Sequence, residues 1–180
     1  VNEVDFVSIP ITKALVGAAR SKCTNVKFNR HTSRAGGGGQ LTGNLGELAF
    51  KYWLRDQCFF DYECVAEQKK FHDFIIAGSK IDVKSKERTV APRANHQCHV
   101  EERIKDEDCD YYIMASVRIP KGEVDPSSVH LLGWIKKAVF WGLPRDDDSK
   151  KDTMVSHKVF HSRLEPMSSL ISEVQKVCRR

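Results

Sequence analysis

Two strand-like runs joined by a short turn constrain this chain more than any other feature. In FHDFIIAGSKIDVKSK, residues 71–86, an apolar segment through Phe74, Ile75 and Ile76 meets Ala77-Gly78-Ser79, and a second run follows at once. Glycine accepts a positive φ at no steric cost, so the pattern predicts an antiparallel hairpin. The hairpin carries charges that strands usually avoid. Asp73 breaks into the first run, and Asp82 and Lys84 stand two apart in the second. Such groups lower strand propensity and resist burial. With the turn centred near Gly78, Asp73 falls opposite positions 82 to 84, while Asp82 and Lys84 project from one face. In a register that puts opposed residues on a common face, two carboxylates and an ammonium gather. The plain alternative is a solvated hairpin face bearing a cross-strand ion pair.

The surroundings read as a mixed α/β chain. Ser8-Ile9-Pro10 opens a helix through KALVGAARSK, with Ser8 as its N-cap. NRHTSRAGGGGQLTGN reads as a loop, because consecutive glycines hold regular structure at high entropic cost. It lacks the frame of a nucleotide-binding glycine loop, although Arg30, His31 and Arg34 could touch a nucleic-acid backbone from it. NLGELAFKYWLRD is the clearest helix, with Leu45, Leu48, Ala49, Tyr52 and Trp53 as its apolar stripe. Gly46 beside that stripe would let the helix approach a sheet closely.

CFFDYECVAEQ precedes the hairpin as a further strand. CDYYIMASVRI and VHLLGWI follow it as strands, and ANHQCHVEE is a candidate strand between. IKKAVFWG suggests a short helix, DDDSKKD a solvated loop, and SSLISEVQKVCRR an amphipathic helix with Leu170, Ile171, Val174 and Val177 on one side.

Composition narrows the classes. At 180 residues, 41% hydrophobic and 29% charged, the chain is ordinary for one globular domain spanning 1–180. No apolar run reaches transmembrane length. VNEVDFVSIPITKAL lacks the basic start, apolar core and cleavage site of a signal peptide. The expectation is an intracellular protein, cytoplasmic or nucleoid-associated, with its six cysteines as free thiols. The net charge of +5 is uneven: bases outnumber acids from Lys69 to Arg93, and acids outnumber bases from Glu101 to Asp110. A basic region around the hairpin suits a polyanionic partner.

Carboxylates on neighbouring strands repel unless a cation lies between them, and hard oxygens suit Mg²⁺ or Mn²⁺ better than zinc. A lysine beside such an ion can orient or deprotonate a water. Metal, water and ammonium together suit hydrolysis of a phosphodiester, whose transition state gathers negative charge.

Asp73, then Asp82-Val83-Lys84, preceded by Gly46-Glu47-Leu48-Ala49 on a helix, resembles the PD-(D/E)XK nuclease superfamily over roughly residues 43–118. The resemblance implies a restriction-endonuclease-like core, a mixed central sheet flanked by helices. It implies that Asp73 and Asp82 ligate Mg²⁺, with Mn²⁺ able to substitute, that the Val83 carbonyl is a further ligand, and that Glu47 holds the metal or its waters. Lys84 would serve the attacking water, and Lys86, on the same face, could contact a DNA phosphate. His72 stands where the name-giving proline would be, and the helix expected between the third and fourth strands is not visible in 88–109. The later segments look like those of small phage or restriction-type members. The implied activity is a DNA endonuclease; an exonuclease or junction resolvase would use the same site, and many such enzymes cut as homodimers.

Other readings of the same residues stand beside this one. Asn44 followed by Glu47 matches a capping box, in which both merely close a helix start. A nucleic-acid-binding module without chemistry would keep the same scaffold. His96, Cys98, His99 and Cys109 offer a zinc set, although their spacing matches no usual knuckle. In the plainer view Cys98 and Val100 face a core, and Gln97 and His99 face the site or solvent.

Overall fold

Ala77 and Gly78 both take positive φ, 49° and 76°, as the tight two-residue hairpin turn requires. The computed structural model describes residues 5–24, 37–59, 61–65, 72–143 and 156–177. In chain order it comprises β1 (Val7–Pro10), α1 (Lys13–Thr24), α2 (Gly37–Asp56), β2 (Tyr62–Cys64), β3 (Phe74–Ile76) and β4 (Ser79–Arg88). These are followed by β5 (Gln97–Glu101), β6 (Tyr111–Arg118), β7 (Ser128–Lys136), α3 (Lys137–Gly142), β8 (Ser156–Phe160) and α4 (Leu170–Val177).

The fold is mixed α/β. Six strands form one sheet in the order β1-β7-β6-β4-β3-β2, and β5 and β8 form a separate two-stranded ribbon. Phe74 lies opposite Ile81 and Ile76 opposite Ser79 in the hairpin. β4 and β6 run parallel from Ile81 beside Tyr111 to Arg88 beside Arg118, and every other neighbouring pair in the sheet is antiparallel. A parallel pair needs a crossover. Here that crossover contains β5 and a 3-10 turn at Glu102–Ile104; among its residues no α-helix forms.

β6 explains the placement of the core. Residues 111–117 are buried without a break, the mark of a strand covered on both faces. On one face Ile81, Val83, Ile113, Ala115, Val117, Val129 and Leu131 pack with Leu45, Ala49, Phe50 and Trp53 of α2. On the other, Tyr112, Met114, Leu132 and Ile135 pack with Cys98 and Val100 of β5, Val159 of β8 and Phe140 of α3. Gly46 fulfils its expected role: a Cβ there would lie 1.9 Å from Ser85 Oγ and 3.1 Å from its Cβ, so α2 sits directly on β4.

Several sequence expectations are corrected. Ser8-Ile9-Pro10 forms strand β1 against β7, and the first helix is capped by Thr12, whose Oγ1 accepts from the Leu15 N–H at 3.1 Å. The glycine run is not a loop throughout, since α2 already begins at Gly37. Packing of one helix face against α1 and the sheet overrides weak local propensity. That face is rotated from the expected stripe: Tyr52 is exposed, while Phe50 and Leu54 are fully buried. Arg30, His31, Arg34 and DDDSKKD lie outside the described residues.

Candidate functional site

β3 stops pairing with β4 after Phe74, and the site forms at that divergence. Asp73 lies one residue before β3; its N–H donates to the Ile81 carbonyl at 2.9 Å, and its carbonyl accepts from the Val65 N–H at 2.8 Å. Held on both sides, it turns its carboxylate along β4, where Oδ2 accepts the Val83 N–H at 2.8 Å. In a strand the N–H and C=O of one residue point to the same edge, so the Val83 carbonyl is also directed to the Asp73 side, away from β6. Asp82 follows Ile81, the last β4 residue paired with β3, and is buried. Lys84, two residues on, places Nζ 2.5 Å from Asp82 Oδ2. That oxygen is buried, and the charge and hydrogen bonding of Asp82 both act on the ammonium.

Glu47 arrives from the other layer. Gly46 pins this turn of α2 against Ser85, and the Glu47 carboxylate lies 3.4 Å from Lys22 of α1. The capping-box reading is excluded, because Asn44 sits well inside α2 and its amide donates to the Ala19 carbonyl at 3.0 Å. Burial raises the pKa of Glu47, with Lys22 opposing and Asp82 adding to the rise. Burial likewise holds the Asp73 carboxyl well above the usual range, and Glu47 and Asp82 push it further despite the Val83 N–H and Lys84. Glu47, Asp73, Asp82 and Lys84 therefore feel one another as one electrostatic group. Burial disfavours the charge of Lys84, but Asp82, then Asp73 and Glu107, outweigh it and raise its pKa. Lys84 is thus an ammonium at neutral pH, fitted to orient and stabilise charge rather than to act as a free base.

Two participants escaped the sequence reading. Lys22 is brought to Glu47 by the packing of α1 on α2, which no local pattern announces. Glu107 lies in the acidic stretch 101–110, legible only as an exposed run. That stretch docks at the start of β4: Lys80 pairs with Asp108 at 2.5 Å, and the Lys80 N–H donates to Asp110 Oδ2 at 2.8 Å. His72, buried, donates from Nδ1 to the Asp108 carbonyl at 2.9 Å. It fixes the crossover beside the site.

The oxygens present are hard: three carboxylates and one backbone carbonyl. Among the described residues no three His, Cys, Asp or Glu side chains already form a cage for an ion. Instead each carboxylate rests on an internal partner, Glu47 on Lys22, Asp82 on Lys84 and Asp73 on the Val83 N–H. Like charges crowded this way, with two raised carboxyl groups, leave a demand for further positive charge, and a divalent cation fits it.

The alternative zinc set does not converge among the described residues. Cys98 and Cys109 are buried, and burial pushes both thiols up to about 11, opposite to the thiolate that zinc requires. Cys98 and Val100 face the second core, as the plainer reading expects. Lys86 is exposed, on the Lys84 face. Cys23, Cys58, Cys64, Cys98 and Cys109 are free, and no described helix is long and apolar enough to cross a membrane. No protein-family model matches the sequence, and a search of curated proteins finds no relative.

Proposed function

We propose that this protein is a metal-dependent nuclease hydrolysing DNA phosphodiester bonds, most simply as an endonuclease, on a restriction-endonuclease-like core. The observation that carries the reading is the gathering of a helical Glu47, a strand-end Asp73 and the Asp82-Val83-Lys84 segment into one electrostatic group. The order α2, β2, β3, β4, crossover, β6, with β4 and β6 parallel, supports it.

Asp73, Asp82 and the Val83 carbonyl would hold Mg²⁺ or Mn²⁺, and Glu47 would hold the ion or its waters. Once bound, the ion supplies Lewis-acid charge and a water of lowered pKa. The chain's own residues do the rest. The Val83 N–H keeps the Asp73 carboxylate aimed along β4. Lys84, an ammonium under the influence of Asp82, Asp73 and Glu107, holds the water for in-line attack and offsets charge developing on the phosphorus oxygens.

Supercoiled plasmid and end-blocked linear duplex, incubated with Mg²⁺, Mn²⁺ or EDTA, test this against Lys84→Ala. The expected result is metal-dependent nicking or cutting by wild type, reduced on the order of 10²–10³-fold in Lys84→Ala. Degradation of unblocked ends alone would assign an exonuclease. Inert wild type and mutant that bind duplex equally would replace the nuclease with a binding module.

A further inference from the structure

The face of β4 that carries Asp82 and Lys84 continues through Lys86 to Arg88, and its far end has the opposite character. Register places Arg88 directly beside Arg118 of β6, and Lys86 beside Ser116. Ser116 in turn pairs with His130 of β7, and Arg118 with Ser128. Directly opposed strand residues share a face, so these side chains form two adjacent polar rows where the second core ends. Arg88 Nε, Arg118 Nε, Ser116 Oγ and His130 Nδ1 are each buried without a hydrogen-bond partner. Ser116 is 0% exposed and His130 7%, its Nε2 bonded to the Ser128 hydroxyl at 2.9 Å.

Buried N–H and O–H groups left unpaired in this way are costly, and guanidinium groups most of all. Among the described residues no ion pair balances either arginine. Arg88 donates to the Gln97 carbonyl at 2.6 Å and touches the Cys98 thiol. Burial lowers the pKa of His130, and Arg118 adds to it; burial lowers that of His96, with Arg88 and Arg93 adding. A cleft of about 290 Å³ opens at this end, lined by Glu87, Arg88, Thr89, Val90 and His96. Glu87 is the acidic residue of its lining.

We propose that Arg88 and Arg118, with Lys86, Ser116 and His130, form a phosphate-binding site separate from the carboxylate cluster. Two guanidinium groups on adjacent strands present the forked donors that match tetrahedral oxyanions, and the buried hydroxyl and imidazole complete the set. Six residues of strand put Arg88 roughly 20 Å from Asp82, with Lys84 and Lys86 between them. A polynucleotide engaged at the carboxylates can therefore rest a later phosphate here. Binding of phosphate stands on the basic cluster alone; its assignment to the polynucleotide rests on the function proposed above.

The test is binding in EDTA, so that cleavage plays no part. Fluorescence anisotropy with a labelled duplex is measured for wild type, Arg118→Gln, Arg118→Lys, Lys86→Met and Arg55→Gln, an exposed charge at the end of α2. Thermal denaturation of each is followed in inorganic phosphate against chloride of equal ionic strength. The expected result is duplex affinity weakened about tenfold in Arg118→Gln, a salt slope reduced by about 1, partial retention in Arg118→Lys and little change in Arg55→Gln. Lys86→Met, an exposed change that leaves the buried groups in place, should weaken binding in the same direction. Stabilisation of wild type by phosphate, lost in Arg118→Gln with duplex affinity unchanged, upholds the site for a free phosphate compound. If Arg118→Gln and Lys86→Met match Arg55→Gln in both assays, the proposal is overturned and ordered water satisfies the cluster. A protein inert on plasmid that passes this test loses its proposed chemistry and keeps its phosphate site.

Discussion

At one end of β4 the crowded charges are carboxylates, and six residues along the same face they are guanidinium groups. The acidic end is partly balanced from within, because Lys22 and Lys84 reach Glu47 and Asp82. The basic end has no such balance among the described residues, and Arg88 Nε, Arg118 Nε and His130 Nδ1 lack partners. Both ends share one strand, one face and one sheet. The difference teaches that the strand sets position while the neighbouring elements set chemistry. Near Asp82 the neighbours are Asp73, α2 and the acidic crossover; near Arg88 they are β6, β7 and the ribbon.

The comparison can be broken at either end. The largest effect is expected from Asp82→Ala, which should reduce plasmid cleavage on the order of 10²–10³-fold while duplex affinity in EDTA holds or improves, since a buried negative charge is gone. An equal loss of binding and cleavage would mean that the acidic end serves as scaffold. Arg118→Gln should do the reverse, lowering affinity about tenfold while a saturated enzyme still cuts.

Gly46→Leu attacks the layer that brings Glu47 to the site. A side chain there meets Ser85 and Ala115, so a loss of about 1–3 kcal/mol is expected, read as a Tm drop of about 2–4 °C per kcal/mol. An unchanged Tm would show that α2 has room to lift from the sheet.

The smallest effect separates the two ends by pH. Asp73 has a raised pKa, from burial first and then from Glu47 and Asp82. The native state therefore holds its proton more tightly than the unfolded chain does. Its contribution to stability is greatest below the ordinary carboxylate range and falls as pH rises through the raised value. Asp73→Asn keeps an acceptor for the Val83 N–H and removes that slope. It should raise Tm by a few degrees near neutral pH, on the order of 1 kcal/mol, with the gain vanishing toward about pH 4. A gain that persisted in acid would locate the effect in packing instead.

The hairpin was legible because its information is local: a glycine turn and alternation of period two place Asp73, Asp82 and Lys84 without reference to the rest of the chain. Gly46 was legible for the same reason, as a missing side chain on a helix stripe. What escaped was whatever depended on distant partners. The role of Glu47 was ambiguous from Asn44 alone and is resolved by the start of α2 at Gly37 and by Lys22. Pro10 looked like a helix opener because its pairing with Ser128 is nonlocal. Arg88 and Arg118 meet only because β4 and β6 are parallel, so their cluster had no sequence signature at all.

The crossover strand has a consequence for the order of assembly. β5 finds its partner in β8, only after β6, β7 and α3 have been made. Until that late pairing, the edge of β5 is bare and the apolar face of Tyr112, Met114 and Leu132 lacks its lid. Pairing across so long a stretch of chain carries a large loop-closure entropy and slows folding. An open strand edge beside exposed apolar surface is the condition under which chains associate with one another before they finish folding.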